Sequence, residues 1–257
     1  MATASQVKTE YTKVAEAYED FGSLPVGLLE SQLIKKALGD VNGLVVLDLG
    51  GGSGIHARDA INAGAERVDI VDISPQMMKL AMEKEKVLGR EDRIRVLEAD
   101  VSKPLDHLKL GTYDVVMANW VFDHAGNLEM LEGMWRNVNQ HLKPGGKFVS
   151  IRAGDPRGPA LQGKYGMRFK DVKDVPGGAT YTVQVPNEPP WDFEAASMEI
   201  SFSGSFSMHE KYGLTNLCHV AYSSAHAVQS DPEFWKLFIE HPAFFVDLGY
   251  KANSMSA

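Results

Sequence analysis

Hydrophobic residues between positions 44 and 151 follow two alternating periods. Short apolar runs at Leu44–Leu47, Arg67–Asp72, Ile94–Ala99, Tyr113–Asn119 and Lys147–Ile151 predict buried parallel strands. Between them, spacing near 3.6 predicts helices packed on a sheet. Ala57, Ala60, Ile61 and Gly64 share one such face; Leu131, Met134, Trp135, Val138 and Leu142 share another. Ile73-Ser74-Pro75 opens a helix, and Lys143-Pro144-Gly145-Gly146 breaks one. Five strands alternating with helices predict an α/β fold with a mostly parallel sheet.

The pattern changes at about residue 153. Glycine and proline become frequent up to Pro190, as in Pro156, Gly158, Pro159, Pro176, Gly177 and Gly178, which marks turns between short elements. Thr180–Val185 and Met198–Phe206 alternate apolar with polar residues and predict half-buried strands. Met208–Ala221 reads as a helix, His219–Ser223 as a strand, Pro232–Glu240 as a helix and Phe244–Tyr250 as the last strand. Residues 1–257 thus read as a single domain. Within it we expect an N-terminal helical lid over 1–40, a cofactor-binding core over 41–152, a lid insertion over 153–207 and a completion of the sheet over 208–257.

The chemistry starts where the first strand ends. Asp48-Leu-Gly50-Gly-Gly52-Ser-Gly54 joins a strand to a helix through glycines that let backbone approach a ligand. Strand, glycine turn and helix N-terminus make a nucleotide-cofactor site. Gly52-Ser-Gly54-Ile-His-Ala57 fits a dinucleotide fingerprint, with Asp72 about 20 residues further on suited to a ribose. That acid suits NAD(P) and S-adenosylmethionine equally. Asp48 distinguishes them: an acid there receives a cationic amino group, and it would be repelled by a pyrophosphate.

The pattern Asp48-x-Gly50-x-Gly52-x-Gly54 resembles the first motif of class I S-adenosylmethionine-dependent methyltransferases. The later strand ends, Asp72-Ile73, Asp100-Val101 and Asn119, follow in that family's order. Over the whole chain the resemblance is to the ubiquinone and toxoflavin biosynthesis type. Asp231-Pro-Glu-Phe-Trp-Lys-Leu and His241-Pro-Ala-Phe-Phe carry it, more loosely, toward the C-terminus. It implies a Rossmann-like, seven-stranded sheet in the order 3-2-1-4-5-7-6 with the last strand antiparallel, helices on both faces and a small lid. It also implies roles. Gly50 and Gly52 pass under the methionyl part of the cofactor, and Asp72 accepts from the ribose hydroxyls. Ile73 lies on the adenine, Asp100 and the Val101 N–H bond its edge, and Asn119 sits near the sulfur. Tyr11-Thr-Lys-Val-Ala-Glu-Ala-Tyr18 resembles the tyrosine-bearing segment that closes over the cofactor in many small-molecule members, so Tyr11 and Tyr18 join the expected cofactor set.

His124 follows the fourth strand, facing the place where an acceptor would bind, and imidazole titrates near neutrality. It is the candidate general base, against the alternative of a pocket wall. Tyr165, Phe169, Tyr181, Trp191, Phe193, Phe202 and Phe206 either wall a pocket for a flat or apolar substrate or fill a small core. Met77, Met78 and Met82 read as helix-to-sheet packing.

Composition narrows the partner. The net charge of −8, without a basic block, argues against nucleic acid. The absence of an Asp-Pro-Pro-Tyr or Asn-Pro-Pro-Tyr motif after the fourth strand argues the same way. No apolar span approaches a membrane crossing, the first residues lack a secretory pattern, and a single cysteine, Cys218, leaves no internal disulfide. No metal site is expected. The expectation is a cytoplasmic enzyme that transfers a methyl group to an O, N or C atom of a small molecule. The alternatives are an NAD(P)-dependent oxidoreductase, or a protein that binds S-adenosylmethionine without transferring its methyl.

Overall fold

A computed structural model describes residues 8–9, 19–186 and 190–253. Tyr11 and Tyr18 lie outside the described residues. Among the described residues there are ten strands: β1 (Val45–Leu49), β2 (Arg67–Asp72), β3 (Ile94–Glu98), β4 (Tyr113–Asn119), β5 (Leu142–Ala153), β6 (Arg168–Val175), β7 (Gly178–Val185), β8 (Trp191–Met198), β9 (Leu214–His219) and β10 (Phe244–Lys251). The helices are α1 (Pro25–Leu38), α2 (Ile55–Asn62), α3 (Pro75–Val87), α4 (Leu128–His141), α5 (Glu199–Phe202), α6 (Ser207–Lys211), α7 (His226–Ser230) and α8 (Pro232–Glu240).

Seven strands form one sheet in the order β3-β2-β1-β4-β5-β10-β9. Numbered within that sheet, this is the expected 3-2-1-4-5-7-6. β1 pairs parallel with β2 and β4, and β10 pairs antiparallel with β5 and β9. Alternation along each strand sends side chains to two cores. Val46, Val115, Met117, Val149 and Ile151 join α1 and α2 on one face. Leu47, Leu49, Val116, Ala118 and Phe148 join α4 on the other. A sheet covered on both sides needs apolar residues at successive positions, which is why its strands read as continuous hydrophobic runs.

Helix starts follow local chemistry. Ser74 caps α3 by accepting from the Met77 N–H at 3.4 Å, with Pro75 at the first helical position. Asp231 and Pro232 repeat the device at α8, where the aspartate accepts from the Phe234 N–H at 3.0 Å. Asn127 caps α4 through the Met130 N–H at 2.9 Å. No helix among the described residues is long and apolar enough to cross a membrane.

The region after β5 departs from expectation in three places. β6, β7 and β8 form a separate antiparallel sheet, of which the sequence pattern had given only β7. Met198–Phe206 is not a strand: Met198 ends β8, and α5 follows. Met198, Phe202 and Phe206 are spaced by four, so the same apolar positions that alternate also fit a helical turn. Met208–Ala221 is not one helix. α6 stops at Lys211, Gly213 takes a left-handed φ of +78°, and the chain continues as β9. The sixth strand of the large sheet is therefore Leu214–His219, ahead of the expected His219–Ser223.

Candidate functional site

The C-terminal ends of β1, β2 and β4 open onto one cavity of about 1000 Å³, counting its open mouth. Asp48, Gly50, Gly52, Asp72, Ile73, Val101, Asn119 and His124 all line it. This is the strand end at which open α/β sheets take ligands. Asp100 is not in the lining. Its Oδ1 accepts from the Ser102 N–H at 2.9 Å and the Ser102 hydroxyl at 2.7 Å, which makes a tight turn after β3.

The glycine turn is fixed from both sides. The Gly50 N–H donates to the Val71 carbonyl at 2.7 Å, and the Gly52 N–H donates to Asp72 Oδ2 at 2.9 Å. Gly50 has φ +70°, and a Cβ there would stand 2.7 Å from Val121 Cγ2. Gly52 has φ +54° with open space where a Cβ would project, so backbone conformation alone calls for glycine. The other oxygen of Asp72 accepts from the Ser74 N–H at 2.8 Å. Burial raises the Asp72 carboxyl, and the backbone bonds from Ser74, Gly52 and Ile73 oppose that rise. Each oxygen keeps accepting capacity toward the cavity.

Two buried polar side chains here have no hydrogen-bond partner among the described residues. Both oxygens of Asp48 and both amide atoms of Asn119 are in this position. Burial pushes the Asp48 carboxyl up to about 7, the His56 cation pulls it down and the charge of Asp72 raises it further. A buried carboxylate and amide left unmatched cost stability, and a ligand carrying an ammonium group and further polar atoms would match them.

His56, Glu30 and Trp120 also line the cavity, and they form a network that sequence spacing did not reveal. His56 Nε2 lies 2.9 Å from Glu30 Oε1, and its Nδ1 lies 3.6 Å from Asp59 Oδ2, an ion-pair distance. Burial works to lower this imidazole, but Asp59 and Glu30 outweigh it and raise it to about 10. The second Glu30 oxygen accepts from the Trp120 indole N–H at 2.8 Å. Trp120 follows β4 with φ +59°, a conformation costing a non-glycine residue about 1 kcal/mol or more. Three contacts hold it there: the Glu30 bond, a 2.9 Å bond from its backbone N–H to the Ile151 carbonyl, and an edge contact on the Phe244 ring. An acid within the apolar stripe of α1, beside Leu29, Leu33 and Ile34, was the available signal for Glu30. Met77, expected only to pack, reaches the lining as well.

A second chamber of about 450 Å³ adjoins the first, and Phe21, Trp120 and His124 line both. One face of the small sheet covers it. Side chains two apart on a strand share a face, so Tyr181, Val183 and Val185 of β7 and Trp191, Phe193 and Ala195 of β8 line it together, with Phe169 of β6. The other expected aromatics lie elsewhere. Tyr165 stacks on Trp235 and meets Phe234 and Phe238, while Phe206 stacks on His219. Burial lowers the His124 imidazole to about 4, so it is uncharged at neutral pH.

Comparison with known proteins bears on the large sheet and its cavity. Residues 46–146 match the family model described as a methyltransferase domain. The ribosomal protein L11 methyltransferase of Pelobacter propionicus is 47% identical over 104 residues, which are 40% of this chain and 30% of that protein. The Alteromonas mediterranea protein of the same name is 46% identical over 31% of this chain and 25% of its own. The chain thus spans about a third or less of these curated relatives. Among solved structures, the CcbJ methyltransferase from Streptomyces caelestis superposes with a TM-score of 0.67 at 18% identity, covering 98% of this chain and all of that one. DhpI in its complex with SAH superposes at 0.61 with 17% identity, over 98% of each chain. At such identities the structures establish the fold. Strand order, glycine turn and superposition agree on the class I methyltransferase fold, and residues 46–146 within it match a methyltransferase domain.

Proposed function

We propose that the protein transfers the methyl group of S-adenosylmethionine to an oxygen, nitrogen or carbon atom of a small, flat or apolar molecule. The observation carrying this reading is the pair of adjoining chambers. One is lined by the glycine turn and strand-end acids, and the other by aromatic and aliphatic side chains, with Trp120 and His124 lining both.

S-adenosylmethionine, when bound, supplies a methyl group already activated by its cationic sulfur. The work left to the protein is to bind, align and exclude water. Asp48 holds the amino group and Asp72 the ribose hydroxyls, while Gly50 and Gly52 keep backbone close to the methionyl part. Ile73, Val101 and Met77 would flank the adenine, with the Val101 N–H at its edge, while Asp100, outside the lining, would act by shaping the turn after β3. Asn119 holds polar atoms near the reacting end. Tyr11 and Tyr18 retain, from the family resemblance alone, the part of closing over the cofactor. His124 takes the proton when the acceptor is O–H or N–H. Its low basicity suits acceptors that are themselves acidic.

The curated relatives carry ribosomal protein L11 in their names. Three features favour a small acceptor here: the limited size of the second chamber, its apolar wall, and a net charge of −8. The net charge of −8 also disfavours nucleic acid and anionic membrane surfaces as partners. Calorimetry with S-adenosylhomocysteine and NAD, followed by label transfer from S-adenosylmethionine to a panel of small aromatic acceptors, tests the proposal. Tight S-adenosylhomocysteine binding with label in a small product is the expected result. NAD binding without S-adenosylhomocysteine binding makes it an oxidoreductase, and cofactor binding with no transfer to any acceptor makes it a binder only.

A further inference from the structure

The second chamber is not wholly apolar: besides His124 and the Trp120 and Trp191 indoles, its lining includes one chain of hydrogen-bonded polar side chains. Asp123 and Tyr181 both line it and both are buried. The Ala153 N–H donates to Asp123 Oδ2 at 3.1 Å, and the Ser197 hydroxyl donates to Asp123 Oδ1 at 3.0 Å. Tyr181 Oη lies 2.6 Å from Ser197 Oγ. Those elements come from the turn after β4, from β8 and from β7, so the chain also ties the small sheet to the segment that carries His124.

The direction of the chain follows from its end. An ionised carboxylate only accepts, so Ser197 must direct its one proton at Asp123. The short contact between Ser197 and Tyr181 then requires the phenol to donate. With its proton committed, the Tyr181 oxygen offers only lone pairs, and two stacked pairs beside it offer a flat occupant ring faces: Phe169 stacks on Tyr181 at 4.5 Å, and Trp191 on Phe193 at 5.4 Å.

We propose that the Tyr181–Ser197–Asp123 chain is the specificity element of this chamber, selecting a flat aromatic methyl acceptor that carries an O–H or N–H donor. This rests on the methyltransferase reading of the two chambers. An aromatic ring seats between the stacked pairs, and its donor bonds the Tyr181 oxygen. An analogue with that donor blocked leaves the buried lone pairs unmatched and binds worse, by about tenfold for one neutral hydrogen bond. Replacing Asp123 by asparagine reverses the polarity. The amide keeps its oxygen toward the Ala153 N–H and turns its NH₂ on Ser197, Ser197 then donates to Tyr181, and the phenol proton is released toward the chamber.

The experiment compares 2-naphthol with 2-methoxynaphthalene by calorimetry, on the full chain with and without S-adenosylhomocysteine. It is run at pH 8, where Asp123, which burial raises to about 6, is ionised. The wild type is expected to prefer 2-naphthol about tenfold. Tyr181→Phe should bring the ratio near one, and Asp123→Asn should strengthen binding of the ether, which offers only lone pairs. A chain that merely fastens the small sheet would weaken both probes together and leave their ratio unchanged, and that result overturns the proposal. So does a wild-type ratio of one, or failure of both probes to bind in either condition. Probe selectivity that persists while S-adenosylhomocysteine fails to bind counts against the methyl-transfer reading alone.

Discussion

Asp48 provides the sharpest test of the cofactor cavity, because its charge is set by burial and its partner is missing from the protein. Its carboxyl stands at about 7 in the free site. Binding an ammonium group favours the ionised form and returns the group toward its ordinary value of about 4. Binding must therefore expel a proton wherever Asp48 is protonated beforehand. Affinity is fully developed above pH 7 and falls as pH drops below it, because the protonated fraction has to be removed first. Worked from a free-site value near 7, the dissociation constant rises about tenfold between pH 8 and pH 6 and about 100-fold by pH 5. About 0.9 proton should leave per ligand bound at pH 6. Below pH 7 the ligand's amino group stays mostly protonated, and His56, raised to about 10, stays charged. Calorimetry with S-adenosylhomocysteine in buffers of different ionisation enthalpy measures both quantities. Asp123 also titrates near 6 but lines the second chamber, so Asp48→Asn assigns the slope: this variant should bind more weakly at pH 8 and show no slope down to pH 5.5. A flat wild-type profile, or proton uptake on binding, would refute the amino-group role of Asp48. The same burial predicts that Asp48→Asn raises the melting temperature of the ligand-free protein at pH 8. The folded carboxyl titrates above the unfolded one, so its ionisation between pH 4 and 7 destabilises the fold.

Four further outcomes are expected. Asp72→Ala should weaken S-adenosylhomocysteine binding by about 100-fold, the sum of lost ribose bonds and a loosened Gly52 turn, with the circular dichroism spectrum unchanged. Glu30→Gln keeps an acceptor for the Trp120 indole but removes the charge beside His56, so NMR titration should find the His56 imidazole well below its wild-type value of about 10. His124→Ala should lower kcat for an O–H or N–H acceptor by about 100-fold and remove the acid limb of the pH profile; near-normal turnover at saturating substrate reduces His124 to a wall. Asp247→Asn strips the buried Arg152 guanidinium of its 2.5 Å carboxylate partner and should cost about 3–5 kcal/mol in urea unfolding. Burial acts to raise the Asp247 carboxyl, but the Arg152 charge and bonds from His209 and His219 hold it well below the usual range. Wild-type stability from this group is therefore complete above pH 4 and is lost only under strongly acidic conditions.

The large sheet was legible because a doubly covered parallel strand leaves little choice of residue. Leu44–Leu47 and Tyr113–Asn119 had to be apolar on both faces, and the glycine turn needed φ values that side chains resist. The small sheet obeys weaker rules. β6 reads Arg-Phe-Lys-Asp-Val-Lys-Asp-Val, and Phe169 is its only buried residue, so an edge strand with one anchored side chain shows little hydrophobic period. β8 does alternate, with Trp191, Phe193 and Ala195 on the chamber side, and the neighbouring prolines obscured it. Within the site, Asp72 and Asn119 were readable because each closes a strand, and Asp48 because it stands one residue before the end of β1 and the glycine turn. Glu30 and His56 sit on separate helices, and Trp120 meets Glu30 across 90 positions of sequence. No local pattern records a contact of that range.

One side of the second chamber, the face of the small sheet, comes from segment 168–198, set between the fifth strand of the large sheet and its last two, while Phe21, Trp120, Asp123 and His124 contribute to the lining from elsewhere. On the proposed reading, most of the surface that faces the acceptor therefore sits on a stretch of polypeptide separate from the donor site, with Asp123 and His124 joining the two. Grafting a different hairpin pair between Met167 and Glu199 would redirect the enzyme to new substrates while the machinery that grips the adenosyl donor stays as it is.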